Sequence, residues 1–288
     1  MLGVLAGCGS GGGSSAASGG ALNGNWQFNL VQTYPGPSTQ LSASGFLAQS
    51  GSTLTGSVQG PVIINGQGIQ TCGGNGTVSG TLNGQAVSFS LNPGGTVFNF
   101  TGTVSGNNSM TGTYQGLGGA CFSRSTTGTF TAQLIPAITG NFTGTLNNST
   151  YMEDLTGENT PIPVSGTLTQ SASAGGSNAS VSGTITAVGY PCMTTAYLTG
   201  TISGQSVYLD VFNFNGVQIG TLGRPSASGF GGNPAIVVVN SSGLSLTGVG
   251  SQLSGLSLGL EGTSPCPEIF YGGGVVTTDQ ADVNVTIQ

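Results

Sequence analysis

A five-residue pattern recurs along this chain: an apolar residue, Ser or Thr, Gly, Ser or Thr, and a second apolar residue. It occurs at Leu54–Val58, Val78–Leu82, Phe100–Val104, Met110–Tyr114, Phe142–Leu146, Val164–Leu168, Val181–Ile185 and Leu198–Ile202. Side chains in a strand alternate between faces, so both apolar residues and the Gly share one face and the two hydroxyls share the other. The inner face then reads large, absent, large. A strand of that kind can coil sharply, or a neighbouring aromatic ring can cover the gap, as closed or strongly curved sheets require.

Other segments keep the same period. Trp26, Phe28 and Leu30 fall opposite Asn25, Gln27 and Asn29, and Val87, Phe89 and Leu91 alternate likewise, as do Phe130, Ala132 and Leu134. No stretch has a helical period. The 36% apolar content and mean hydropathy of +0.18 are enough for a buried core, and Gly, Ser, Thr and Asn between apolar alternations read as short strands and tight turns. The fold class is all-β.

Two halves match in order. Leu22-Asn23-Gly24-Asn25-Trp26 parallels Ile138-Thr139-Gly140-Asn141-Phe142, and residues 44–50 parallel 165–171. Cys72 and Cys192 each lie eight residues before a matching segment, Gly80–Val87 and Gly200–Val207. The expected organisation is a duplicated antiparallel domain, 21–135 and 137–288, joined around Pro136. Each half is expected to be an up-and-down meander closed into a small barrel, with a β-sandwich as the alternative. Gly24-Asn25-Trp26 resembles the Gly-x-Trp first strand of lipocalin and avidin-like barrels, and the resemblance carries no ligand-binding residue over. A transmembrane barrel is disfavoured, because aromatic girdles are not evident.

Charge excludes several function classes. Of 288 residues, two are cationic, Arg124 and Arg224, eight are acidic, and there is no Lys or His. Nucleic acid is therefore not an expected partner, because phosphate binding rests on clustered Lys and Arg. Ser-His-Asp triads, Cys-His pairs, Schiff bases and His-ligated metals are excluded by residue type. No enzymatic activity is expected.

The N-terminal residues Leu5-Ala6-Gly7-Cys8 resemble the lipobox of bacterial lipoproteins, here of an uncharacterised Gly- and Thr-rich β type. The resemblance implies that residues 1–7 are the remnant of a signal peptide and that Cys8 is lipidated. Residues 8–20 would form a flexible tether, with an r.m.s. span of roughly 20 Å. Only seven residues precede Cys8, which places the expected true start upstream. Gly9 follows the cysteine where an Asp tends to retain Gram-negative lipoproteins at the inner membrane, so the expected location is the outer membrane or cell surface, with the membrane as a partner through the anchor.

The remaining cysteines, Cys72, Cys121, Cys192 and Cys266, fall two per half. Four cysteines allow three connectivities, and the duplication favours pairing Cys72 with Cys121 and Cys192 with Cys266. Each bond would contribute roughly 4 kcal/mol by chain entropy if unstrained and needs an oxidising compartment. Buried free thiols are the alternative.

Three sites are candidates for chemistry. Glu153, Asp154 and Glu158 sit together in a loop that has no counterpart in the first half and offers oxygen ligands suited to calcium. Tyr208, Asp210 and Phe212 alternate on the face opposite the core residues Val207, Leu209 and Val211, where aromatic rings beside a carboxylate could stack and hydrogen-bond a sugar. Asp210, Glu261 and Glu268 are the carboxylates a glycoside hydrolase would need in pairs.

The leading expectation is a lipid-anchored envelope lipoprotein with a non-catalytic structural, adhesive or binding role. A lipocalin-like carrier of a small apolar ligand and a carbohydrate-binding or glycoside-hydrolysing module are the alternatives. A threonine array like that of ice-binding solenoids is not expected, because the spacing between pentads varies.

Overall fold

The computed structural model describes residues 22–34, 39–65, 68–71, 75–93, 96–106, 108–117, 125–147, 160–188, 194–223, 235–240, 243–253, 269–271, 274–276 and 278–288. Every regular element among them is a strand. The first half contains β1 (Gly24–Tyr34), β2 (Thr39–Ser50), β3 (Thr53–Asn65), β4 (Gly68–Thr71), β5 (Asn75–Asn83), β6 (Ala86–Pro93), β7 (Val97–Ser105), β8 (Ser109–Leu117) and β9 (Thr126–Ile135). Eight of these pair antiparallel in chain order, and β9 returns to β1, so the sheet closes; β4 pairs antiparallel with the end of β3, in line with β5.

The second half contains β10 (Gly140–Asn147), β11 (Ile162–Gln170), β12 (Ala179–Ala187), β13 (Ala196–Ser203), β14 (Ser206–Phe212), β15 (Gln218–Leu222), β16 (Ala235–Asn240), β17 (Gly243–Leu253), the hairpin β18 (Ile269–Tyr271) and β19 (Gly274–Val276), and β20 (Thr278–Ile287). This ring also closes, through β10 and β20. Strands β15 and β16 share one position in it. Leu209 to Phe212 pair with β15, Ser206 and Val207 pair with β16, and β17 runs along both. They are two collinear pieces of one strand, interrupted between Leu222 and Ala235, and the second barrel thereby also has eight strand positions.

The duplication holds at the level of single hydrogen bonds. Leu22 N–H donates to Gln49 Oε1 at 3.2 Å, and Ile138 N–H donates to Gln170 Oε1 at 3.1 Å. Gln85 and Gln205, in the matching β5–β6 and β13–β14 turns, accept from Val104 N–H and Val237 N–H, each at 2.9 Å. Asn25 faces Phe46 and Asn141 faces Thr167 at the same register.

Inside the first barrel, aromatic rings fill the bore. Phe28, Phe89, Phe98, Phe100 and Phe130 are all buried; Phe89 stacks on Phe100 at 4.8 Å, and Phe130 meets Phe100 edge-on at 5.0 Å. Trp26 is fully buried and its indole N–H donates to Leu22 O at 2.9 Å. An eight-stranded barrel is just wide enough for such filling. The second barrel holds Ile, Val, Leu and Ala with Phe142.

The inner-face glycines make this packing fit. A Cβ on Gly112 would overlap the Thr101 carbonyl oxygen and lie 2.6 Å from Gly102 Cα and 2.8 Å from the Phe130 ring. Both roles anticipated for the pentad glycine, tight coiling and cover by a ring, meet there. Replacing it overpacks a closed wall, at a typical cost of about 1–3 kcal/mol. Gly112→Ala should lower the urea midpoint accordingly with little change in m-value, measured by equilibrium unfolding.

The two barrels dock through polar groups. The β13–β14 turn of the second barrel seats on the outer face of β1 and β2. The Asn25 carboxamide donates to Gly204 O at 2.8 Å and accepts from Gly204 N–H at 2.6 Å, while Gln205 N–H donates to Gln27 Oε1 at 3.1 Å. Ser203 O–H donates to Ser177 O at 2.7 Å, which leaves Ser44 as the donor in its 2.8 Å contact with Ser203 Oγ. Ser57 donates to Gly175 O at 2.6 Å, and Ser177 donates to Asn75 Oδ1 at 3.0 Å. Phe46 of the first barrel packs against the core cluster of the second. Asn25 and Gln27 point out of their barrel, as the alternation requires, yet are 2% and 5% exposed because the neighbouring barrel covers them.

Candidate functional site

Tyr208, Asp210 and Phe212 lie on the outer face of β14, each half-buried, while Val207, Leu209 and Val211 point into the core. Asp210 sits between Thr199 on β13 and Thr221 on β15, and its Oδ1 accepts a hydrogen bond from Gln218 Nε2 at 2.8 Å. Burial raises the Tyr208 hydroxyl above the usual tyrosine range, so at neutral pH it is a neutral group that both donates and accepts.

Two aromatic residues that the alternation did not single out complete this surface. Tyr197 on β13 stands directly across from Phe212 and is 52% exposed. Phe214, just past the end of β14, is 79% exposed. It is held on a turn with its own internal bonding. Buried Asn213 accepts from Asn215 N–H at 2.9 Å and from Val217 N–H at 3.0 Å through Oδ1, and its backbone bonds Val217 and Gly216. This is an Asx turn, a side chain imitating the backbone. Cross-strand aromatic pairs and bulges that re-aim side chains are ordinary sheet devices, and the pairing of β14 with β15 is irregular where Phe212 meets Gln218. The result is a rim carrying three aromatic side chains, one carboxylate–amide pair and flanking hydroxyls. Alternation with Leu198 already turns Tyr197 outward; its pairing with Phe212 comes from the register and the exposure of Phe214 from the turn.

The outer face of the first barrel is built differently. Thr101, Thr113 and Thr129 are aligned across β7, β8 and β9, as are Thr103, Thr111 and Thr131. The unequal spacing between pentads is absorbed in the connections, so the threonines form rows on a closed, curved wall. A shallow groove of about 570 Å³ runs along the first of these rows, with Thr33, Asn99, Gln115 and Thr127 among its lining residues and no charged one. A β-bulge at the end of β1 lies beside it and leaves Thr33 and Tyr34 exposed.

Among the described residues of that barrel, three buried hydroxyls have no hydrogen-bond partner: Thr96, Tyr114 and Thr126. They occupy inward positions of β8 and β9 and the approach to β7, toward the same rim. Among the described residues no cluster of His, Cys, Asp or Glu could hold a metal. The expected lipidation site Cys8, the cysteines Cys72, Cys121, Cys192 and Cys266, the acidic group Glu153, Asp154 and Glu158, the carboxylates Glu261 and Glu268, and Arg124 and Arg224 lie outside the described residues.

No protein-family model, curated protein or solved structure matches this chain.

Burial pushes the Tyr114 hydroxyl up to about 12. A folded-state value above the unfolded one favours the protonated form in the native protein, so this contribution to stability is complete below about pH 10 and is lost as the pH rises toward 12. Tyr114→Phe removes a buried hydroxyl that has no partner, and the variant should be at least as stable as the parent at neutral pH. It should also lose part of the fall in stability between pH 10 and 12, measured by denaturant unfolding at stepped pH.

Proposed function

We propose that this is a non-catalytic protein of the cell envelope that binds an uncharged polysaccharide through the aromatic rim of its second barrel. The observation that carries the reading is Phe214, 79% exposed on a turn fixed by Asn213. The turn fixes the backbone that carries this ring, and a phenyl side chain has only two rotatable bonds, so little freedom is lost when a ligand covers it. Beside it, the Phe212–Tyr197 pair extends the apolar surface, and Asp210, Gln218 and Tyr208 supply donors and acceptors at its edge. Apolar faces for stacking with polar groups alongside suit the pyranose ring, which has both a C–H face and equatorial hydroxyls. The protein's shortage of cations, two in 288 residues, favours a neutral glycan over an anionic one.

The carrier alternative gains no support from the first barrel, whose bore is filled by the phenylalanines. The binding reading is tested by affinity electrophoresis of the full chain in gels containing neutral glucan, mannan or galactan. The parent should be retarded by at least one of them. Phe214→Ala should weaken that interaction about tenfold, corresponding to the roughly 1.4 kcal/mol that truncation of a contact aromatic commonly exceeds. Retardation by none of the three, or equal retardation of the variant, overturns the reading.

Placement in the envelope rests on the lipobox-like Leu5–Cys8 segment followed by the Gly- and Ser-rich residues 9–20. Intradomain disulfides are part of the same proposal. The β3–β5 and β8–β9 connections, which carry Cys72 and Cys121, join strands whose ends lie at one rim of the first barrel, and the matching β12–β13 and β17–β20 connections carry Cys192 and Cys266. Mass spectrometry of the exported protein should find acyl mass on Cys8 and a deficit of two hydrogens for each disulfide. An unmodified Cys8 with free thiols would remove both.

A further inference from the structure

The contact between the barrels uses two surfaces, and duplication has supplied each of them twice. The receiving face is Asn25, Gln27 and Ser44 on β1 and β2, and the inserted element is the Ser203–Gly204–Gln205 turn. In the second barrel the receiving face recurs as Asn141, Thr143 and Ser165, at the same register on β10 and β11, and all three residues are exposed. In the first barrel the turn recurs as Asn83, Gly84 and Gln85, also exposed, with nothing near the Gly84 Cα that a Cβ would meet.

Both turns have the same conformation. Gly84 and Gly204 have φ of 61° and 56°, both are two-residue hairpin loops closed by Asn83–Ala86 and Ser203–Ser206, and the carbonyl of the following Gln is tied to the next hairpin in each case. The close approach of Gly204 to Gln27 and to Ser44 Cβ, 2.6 Å from a notional Cβ, depends on glycine. Gly84 preserves that option.

We infer that the chain associates with further copies of itself head to tail, the free Asn83–Gln85 turn of one molecule seating on the free Asn141, Thr143 and Ser165 face of the next. The contact repeats the one already made inside the molecule, with Asn141 taking the backbone N–H and C=O of Gly84 as Asn25 takes those of Gly204. Such a contact is heterologous: turn and face are different surfaces, so each molecule keeps one of each for a further neighbour, and growth continues unless the rotation closes a ring. It is weaker than the internal joint. Thr143 is shorter than Gln27, and Thr167 stands where Phe46 packs against the opposing core. The join within the chain also has the advantage of covalent linkage, which the intermolecular one lacks.

Sedimentation velocity of the full chain over a concentration series tests this. The weight-average mass should climb past that of the monomer as concentration rises. Asn141→Ala, at an exposed position, should weaken association about tenfold by removing both backbone contacts. The double variant Thr143→Gln, Thr167→Phe rebuilds the first barrel's face on the second and should strengthen association by at least about the same factor. A parent that stays monomeric at its highest soluble concentration overturns the inference. Association untouched by Asn141→Ala, as cross-linking through thiols would be, overturns it as well, and so does a double variant that associates no better than the parent.

Discussion

Closure of each sheet into a ring is the constraint on which everything else rests. A wall of only eight strands must curve tightly, and the backbone of one strand then crowds the inner face of the next. At Gly112 a single added carbon would meet the Thr101 carbonyl, the Gly102 backbone and the Phe130 ring together. The pentad meets this demand with one missing side chain per strand. In the first barrel the space is returned to aromatic rings, which is why a chain with only 7% aromatic residues concentrates so many of them in one bore. Closure also disposes of sheet edges. Many proteins guard exposed edges with lysine; this chain has none, and a ring needs fewer such guards.

With the interior committed to packing, the outer wall is where the two halves have diverged. The first barrel presents threonine rows and gives up one patch, Asn25, Gln27 and Ser44, to its neighbour. The second leaves the equivalent patch open and raises Tyr197, Phe212 and Phe214 at its rim. Phe46 and Thr167 show the divergence in one pair: same register, same side of the wall, one apolar and buried against a partner barrel, the other polar and exposed. The joint between the barrels is mainly hydrogen-bonded, and its strength lies in having a partner for each polar group it buries. Asn25 shows this best, since its carboxamide donates to the C=O and accepts from the N–H of one residue, Gly204.

Much of the architecture was legible because alternation has a physical cause that acts locally. Val207, Leu209 and Val211 on one face and Tyr208, Asp210 and Phe212 on the other follow from a period of two, and an antiparallel meander follows from the pentads and short turns, while closure in place of a sandwich is seen in the strand pairing. What remained hidden depends on contacts distant in sequence. Outward Asn25 and Gln27 look solvent-exposed until another barrel covers them, about 180 residues away along the chain. One wall position of the second barrel is divided between β15 and β16, and since each piece has an ordinary strand length, local sequence gives two strands where the wall has one position. Phe214 keeps the outward parity of Phe212, but its 79% exposure depends on the Asn213 turn, which the strand period does not specify.

A nearly uncharged surface gives the wall its selectivity. Coulomb attraction is long-ranged and indifferent to detail, whereas hydroxyl, amide and ring contacts act only at touching distance and demand matched geometry. With two cations and eight acids in 288 residues, the binding proposed for this chain would discriminate through shape and hydrogen-bond placement. That property links the rim of the second barrel to the joint between the barrels. In both, a backbone-rigid turn, at Phe214 and at Gly204, presents a small feature, and its partner must match it group by group. A partner lacking the match leaves polar groups desolvated and unpaired, at a cost of about 1–3 kcal/mol each, and that cost does the selecting.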